Sequence, residues 1–265
     1  MTPESAKLPA AHPAKLPADM ELLREGLLKL READKDADRL LGPRMEEIIS
    51  LLNRYTDEIE LFNPAYGLVG AADRQELTVK HILDSLAPIE ILLRIMEAHF
   101  PDAGFPGSGQ SAESPDQALE THILRIADVG SGAGFPGIPL AVAMPNCSFT
   151  LIERMGRRVG FLKNTLAVLG LSNAGIEEKE MERAAPARFD LITFRAFRPL
   201  ESDIIKGLFR LLAPGGILAA YKGRRDKIEE EMKMVQDFTV TWDIYPCPVP
   251  FLDEERHLVV ICRKS

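Results

Sequence analysis

The chain has 265 residues, of which 46% are hydrophobic and 27% charged, with a formal net charge of −8. That length and apolar content allow one good-sized domain with an appendage and a real core. The acidic balance argues against indiscriminate nucleic-acid binding, though it leaves room for a local basic face, and no apolar run reaches the ~20 residues that span a bilayer.

Residues 1 to 18, rich in Pro, Ala and Lys, predict a disordered tail with no apolar core for a secretion signal. Cytoplasm is the expected location, with no membrane partner. From 19 to 100 the pattern is helical: "MELLREGLLKL", "PRMEEIISLLNRYTDEIELF" and "RQELTVKHILDSLAPIEILLRIMEAHF" carry apolar residues at three- and four-residue spacing. Residues 101 to 122 read as a Pro/Gly/Ser-rich connector, and 123 to 265 as a second unit.

In that unit strands and helices alternate. Strands are predicted at Ile123 to Val129, Ser148 to Glu153, Phe189 to Phe194 and Ile217 to Tyr221, with a weaker one at Gly175 to Glu178. Helical periodicity fills "RRVGFLKNTLAVLGL", "PLESDIIKGLFRLL" and "RDKIEEEMKMVQDF", and "APGG" after Leu212 reads as a helix stop. The series predicts an α/β fold with a doubly wound, mainly parallel sheet. "FTVTWDIYPCPV" and "ERHLVVICRK", with no helix between them, predict an antiparallel pair at its edge. Cys147, Cys247 and Cys262 lie too far apart for paired metal ligands or a disulfide framework, so buried thiols and no metal are expected.

"DVGSGAGFPG", Asp128 to Gly137, falls between the first strand and a helix. Glycines serve positive φ or close approach to the backbone, and such a turn aims N–H groups at a ligand above the strand. A dinucleotide and S-adenosylmethionine compete for it. The dinucleotide fingerprint G-x-G-x-x-G would need a third glycine at Phe135. The spacing is instead Gly130, Gly132, Gly134, and the chain after it only completes the sheet, which favours the methyl donor. Glu153 ends the second strand near the ~20-residue offset of a ribose-binding acid. Met181 and Glu182 follow the third strand, where an adenine could be held.

"VKHILDSLAP", "DVGSGAGFPGIPLA", "TLIERMGRRVGFLK", "FRAF", "YKG" and "ERHLVVI", in that order, resemble the ribosomal RNA small subunit methyltransferase G family, also called glucose-inhibited division protein B. The resemblance runs from about Leu51 to Lys264. It implies an S-adenosylmethionine-dependent methyltransferase fold, Rossmann-like, with an N-terminal helical extension and an antiparallel C-terminal strand. It also implies methylation of N7 of a guanine in 16S rRNA, with 16S rRNA or the small ribosomal subunit as partner. Gly130, Phe135, Met181, Glu182 and Arg195 fall on the family's cofactor positions. The chain departs from the family at Gly67-Leu68-Val69, at Glu153 where Asp is frequent, and at Phe194 where a small residue is common.

Guanine N7 carries a lone pair and no proton, so positioning suffices and no general base is needed. Arg195 could bond the cofactor or the guanine Hoogsteen edge. His81, Asp84 and Ser85 share a helix face, but the G-x-S-x-G elbow of a hydrolase is absent, so packing against the site is expected of them. His257 is a candidate site wall. Two basic clusters, "RMGRR" with Lys163 and "KGRRDK", start at strand ends and make Arg158, Lys222 and Arg225 candidates for RNA contact. A small-molecule methyltransferase and a non-catalytic ribosome-assembly factor are the alternative readings.

Overall fold

The structure, a computed structural model, describes residues 18–103, 122–197, 200–233, 235 and 240–263. The tail expected at 1–18 and the connector expected at 101–122 lie almost wholly outside the described residues.

Seven strands form one sheet: β1 (Arg125–Val129), β2 (Ser148–Glu153), β3 (Ala174–Glu178), β4 (Phe189–Arg195), β5 (Leu212–Lys222), β6 (Val240–Pro246) and β7 (His257–Arg263). Their spatial order is β3-β2-β1-β4-β5-β7-β6. β1 to β5 run parallel, and β7 inserts antiparallel between β5 and β6. The α/β, doubly wound, mainly parallel sheet with antiparallel C-terminal strands is thus the architecture present. β1 has β2 on one side and β4 on the other, so the chain order reverses there and opens a crevice outside the carboxyl ends of these strands.

The pleat sends alternate residues to two cores. Ile126, Leu191, Ile217 and Leu258 face one cluster together with Phe161 and Leu162 from α8 (Gly156–Leu169) and with the N-terminal helices. Their chain neighbours Ala127, Ile192, Leu218 and Val259 face the other, against Ile205 and Leu208 of α9 (Ser202–Leu211) and Ile228 and Met232 of α10 (Arg225–Lys233). The first cluster extends without interruption to Leu23, Leu27 and Ile48, so the helices before the connector share their core with the sheet.

Those helices are α1 (Ala18–Ala33), α2 (Lys35–Leu41) and α3 (Met45–Tyr66), then α4 (Arg74–Leu77) running through a π-helical turn at Thr78–Leu83 into α5 (Asp84–Leu86), then α6 (Ile89–His99). The run expected to be helical over 74–100 breaks at Pro88, which has no N–H to donate and leaves helical geometry at ψ 15°. α2 was not among the expected elements. α9 ends at Leu211, in keeping with "APGG" as a helix stop, but β5 begins directly at Leu212, before the expected Ile217. Gly215, at φ +78°, lets the strand bulge through this segment, and the register against β4 shifts between Phe189 and Leu191.

Candidate functional site

The turn after β1 leads into α7 (Gly137–Ala143). Gly130, Gly132 and Gly134 hold φ of +74°, +59° and +100°, conformations that side-chain-bearing residues adopt rarely. A Cβ at Gly134 would also lie 2.5 Å from Ile138 Cδ1. Glu153, at the end of β2, is only 4% exposed. Its carboxylate accepts the N–H of Gly132 (3.0 Å) and of Met155 (2.8 Å), which locks the side chain beside the turn. Both oxygens keep lone-pair capacity for a further donor. A cleft of about 180 Å³ opens here, walled by Gly130, Glu153, Arg158, Glu180, Met181 and Phe197.

Beneath the turn Asp128 is fully buried. Its Oδ2 accepts the Gly137 N–H at 3.0 Å, and its Oδ1 has no protein partner. Burial pushes this carboxyl up to about 6. No side chain fits at Gly137, where a Cβ would stand 2.7 Å from Asp128 Oδ2.

Next to the cleft lies a larger cavity of about 1110 Å³. Asp84 organises it: Arg195 Nη1 donates to its Oδ2 at 2.8 Å, and Arg256 Nε lies 3.2 Å from its Oδ1. Burial raises the Asp84 carboxyl against the pull of both guanidiniums. Arg195 also donates to His81 Nδ1 at 2.9 Å, which places the imidazole proton on Nε2. Burial, helped by the Arg195 charge, lowers His81 to about 4, so this ring is neutral at pH 7. Other cations of the cavity are paired as well: Lys80 with Glu76, Lys222 with Glu231 and Lys227 with Glu230, each at 2.8 Å. His257 Nδ1 donates to the Gly223 carbonyl at 2.6 Å, leaving Nε2 as an acceptor.

Of the residues singled out in the sequence, Gly130, Glu153 and Met181 line the cleft, and Arg195, Lys222 and His257 line the larger cavity. Gly132, Gly134 and Phe135 belong to the turn itself and line neither space. The Phe135 ring is covered by Tyr55 (5.2 Å), His81 (5.1 Å) and the Arg195 guanidinium (5.0 Å), and its backbone N–H donates to the Ser131 carbonyl, so Phe135 braces the turn from within. Glu182 is exposed, and its carbonyl accepts from Arg210. Arg158 belongs to the cleft, since the first turn of α8 folds back over the end of β2. Arg225 sits at the exposed start of α10, paired with Glu229 at 2.9 Å. Ser85 Oγ donates to the His81 carbonyl, not to its ring, so no nucleophile triad forms. Among the described residues no His, Cys, Asp and Glu side chains group as a metal site, and no helix is long and apolar enough to cross a membrane. Arg256 and Phe197 escaped the sequence reading, although both stand inside quoted motifs, "ERHLVVI" and "FRAF".

Comparison with known proteins then decides the family. The profile of rRNA small subunit methyltransferase G matches residues 113–259. Proteins called ribosomal RNA small subunit methyltransferase G are similar along most of the chain: that of Treponema denticola is 38% identical, covering 81% of this chain and 86% of its own length. The protein from Treponema pallidum is 37% identical over 92% of this chain and 95% of its own, and that of Vibrio atlanticus 30% identical over 93% and 100%. The chain belongs to the rRNA small subunit methyltransferase G family.

In this methyltransferase the N-terminal helices complete the site. Tyr55 of α3, fully buried, donates to the Ala133 carbonyl at 2.6 Å and so pins the glycine turn. Tyr221 at the end of β5 donates to the Ser85 carbonyl at 2.9 Å and ties α5 to the sheet. Burial raises both phenols well above their ordinary range, so both remain donors at any working pH. The segment carrying His81 and Asp84 is thereby fixed over the carboxyl edge, a wall of the larger cavity.

Proposed function

We propose that this methyltransferase transfers the methyl group of S-adenosylmethionine to N7 of a guanine in 16S rRNA, with the cleft holding the donor and the larger cavity the base. The single observation that carries the assignment of the two spaces is their junction: donor cleft and acceptor cavity meet at Ala196 and Phe197, just outside the carboxyl end of β4.

The residues present fit the donor. A buried carboxylate, fixed by two N–H bonds and retaining lone pairs, suits the ribose hydroxyls. Met181, 3% exposed, offers an apolar surface for adenine. Gly130 and the orphaned Asp128 Oδ1 border the turn where the methionine portion would lie. When bound, S-adenosylmethionine supplies a methyl group on a sulfonium, open to in-line displacement by a lone pair. The protein's share is to align that lone pair and exclude water. In that transfer the N7 lone pair would take the methyl carbon, the C–S bonding pair would remain on sulfur, and the positive charge would pass to the purine. No proton moves. His81 agrees with this, since its Nδ1 lone pair is taken by Arg195 and its Nε2 carries the proton. Arg195 can donate to O6 on the Hoogsteen edge while the N7 lone pair stays open to the methyl carbon, which makes it an orienting group. Arg158 is assigned to the donor side, and Arg225 to RNA phosphates on the outer rim. Paired RNA hides N7 in a deep, narrow groove, so the target is an irregular or unpaired element, met in the cytoplasm on 16S rRNA or the small subunit.

The test is methyl transfer from labelled S-adenosylmethionine to small ribosomal subunits, to deproteinised 16S rRNA and to a metabolite extract, followed by nucleoside mass spectrometry. Label recovered as 7-methylguanosine in rRNA is expected. Label in metabolites alone, or on another atom of the base, would overturn the reading.

A further inference from the structure

We infer that Phe197 is the stacking platform on which the target guanine is seated, a substrate-positioning residue; the inference rests on the guanine-N7 reading above. Among the described residues, Ala196 and Phe197 line both the 180 Å³ donor cleft and the 1110 Å³ acceptor cavity. They follow Arg195 at the carboxyl end of β4, the strand paired with β1, and therefore stand at the point where a methyl group has to pass from one space to the other.

The local backbone is built for this placement. Ala196 holds φ +48°, a left-handed conformation that an alanine keeps only where the surroundings impose it. Directly beyond it the Phe197 ring rests on the bare backbone of Gly130: a Cβ at Gly130 would lie 2.3 Å from Phe197 Cδ2. The first glycine of the turn thus has two duties, its own φ of +74° and room for this ring. Phe197 is half-buried, with the rest of its surface turned to space shared by donor and acceptor.

Chemistry supplies the occupant. A guanine presenting N7 to a sulfonium must leave any helical stack, and an extruded base regains stacking on an aromatic or Arg plane. Among the described residues whose side chains line both spaces, the Phe197 ring supplies such a plane. The Phe135 ring is already enclosed by Tyr55, His81 and Arg195, and Tyr221 is fully engaged in the core. A base stacked on Phe197 lies at the mouth of the donor cleft, with Arg195, two positions back on the same strand end, available to its Hoogsteen edge.

The experiment compares wild type with Phe197→Leu and Phe197→Tyr under single turnover on small ribosomal subunits at saturating S-adenosylmethionine, alongside calorimetry of donor binding. Leucine keeps an apolar chain of similar bulk and removes the π-face, and tyrosine restores it. Base stacking on an aromatic is worth roughly 5- to 150-fold in affinity. A loss in that range in kcat/KM for the subunit is expected for Phe197→Leu, with donor affinity within about threefold of wild type and recovery in Phe197→Tyr. Full activity of Phe197→Leu overturns the platform while leaving the guanine reading intact. An equal loss of donor affinity also overturns it, assigning the ring to the donor site. A wild-type protein that labels no rRNA overturns the guanine reading and the platform with it.

Discussion

Replacing Asp128 by Asn probes the buried charge beneath the glycine turn without altering its shape. The folded state holds this carboxyl at about 6 against an ordinary 3.8, with burial as the dominant cause. Between those values the folded protein keeps a proton that the unfolded chain has released. The stability associated with the protonated form is therefore complete below the unfolded value of 3.8 and is lost as pH rises through about 6. At 1.36 kcal/mol per pH unit the loss amounts to about 3 kcal/mol. Asp128→Asn carries no titrating group, and its amide oxygen can still accept the Gly137 N–H. Relative to wild type, the variant should gain about 2.4 kcal/mol between pH 4 and pH 7, most of that total. The difference between the two proteins is the required quantity, because His81 titrates with the opposite sign. Its folded value of about 4 lies below the ordinary 6.5, so its contribution is complete above 6.5 and is lost as pH falls towards 4, largely masking Asp128 in the wild type alone. Urea unfolding of both proteins at four pH values gives the comparison. A stability difference constant to within 1 kcal/mol across that window would refute the reasoning.

Glu153→Gln turns one of two acceptor oxygens into a donor that faces a backbone N–H, and it removes the charge offered to a ribose. S-adenosylmethionine binding measured by calorimetry should weaken by roughly 1.5–3 kcal/mol; unchanged affinity would return Glu153 to a purely structural role. Asp84→Asn leaves Arg195 and Arg256, whose side chains are 16% and 22% exposed, sharing a neutral amide. Loss of a buried pairing partner costs about 3–5 kcal/mol, so urea unfolding should show a drop of that order, and a change under 1 kcal/mol would mean that water satisfies both guanidiniums.

Sequence pattern carried the sheet almost residue for residue, because β2 and β4 are buried on both faces and read as short apolar runs closed by a turn or a charge. The elements it missed had weaker signals. α2 offers only Ala37, Leu40 and Leu41 to the core; what starts it is Asp34, whose carboxylate accepts the N–H of Asp36 and Ala37. The donor side of the site was legible because a positive-φ glycine turn and an acid at fixed offset are local features. The acceptor side was not. Its fork of Asp84, Arg195 and Arg256 joins residues up to 172 positions apart, and only the packing of the helical extension on β4 and β7 brings them together. The same packing explains why His81, Asp84 and Ser85 share a face without forming a triad: the face is directed at Arg195 and Tyr221.

The electrostatics of the acceptor cavity also bear on how the reaction is driven. Methyl transfer to N7 moves one positive charge from donor to purine and leaves the total unchanged, so a cavity rich in unpaired cations would oppose the product. Here Lys80, Arg195, Lys222, Lys227 and Arg256 each have a carboxylate partner within 4 Å. The walls can thus present N–H donors to a neutral guanine without a strong net field against the cationic 7-methylguanine that forms. Attraction of phosphate falls to groups on the outer rim such as Arg225, more than half exposed and held only by a surface pair, which RNA can displace at little cost. Arg225→Glu should therefore weaken binding of small ribosomal subunits and reduce its salt dependence, while leaving S-adenosylmethionine affinity unchanged. Filter binding across a salt series measures the slope. A slope equal to that of wild type would mean that the phosphates are met elsewhere, and the separation of an outer rim from a compensated inner cavity would fall with it.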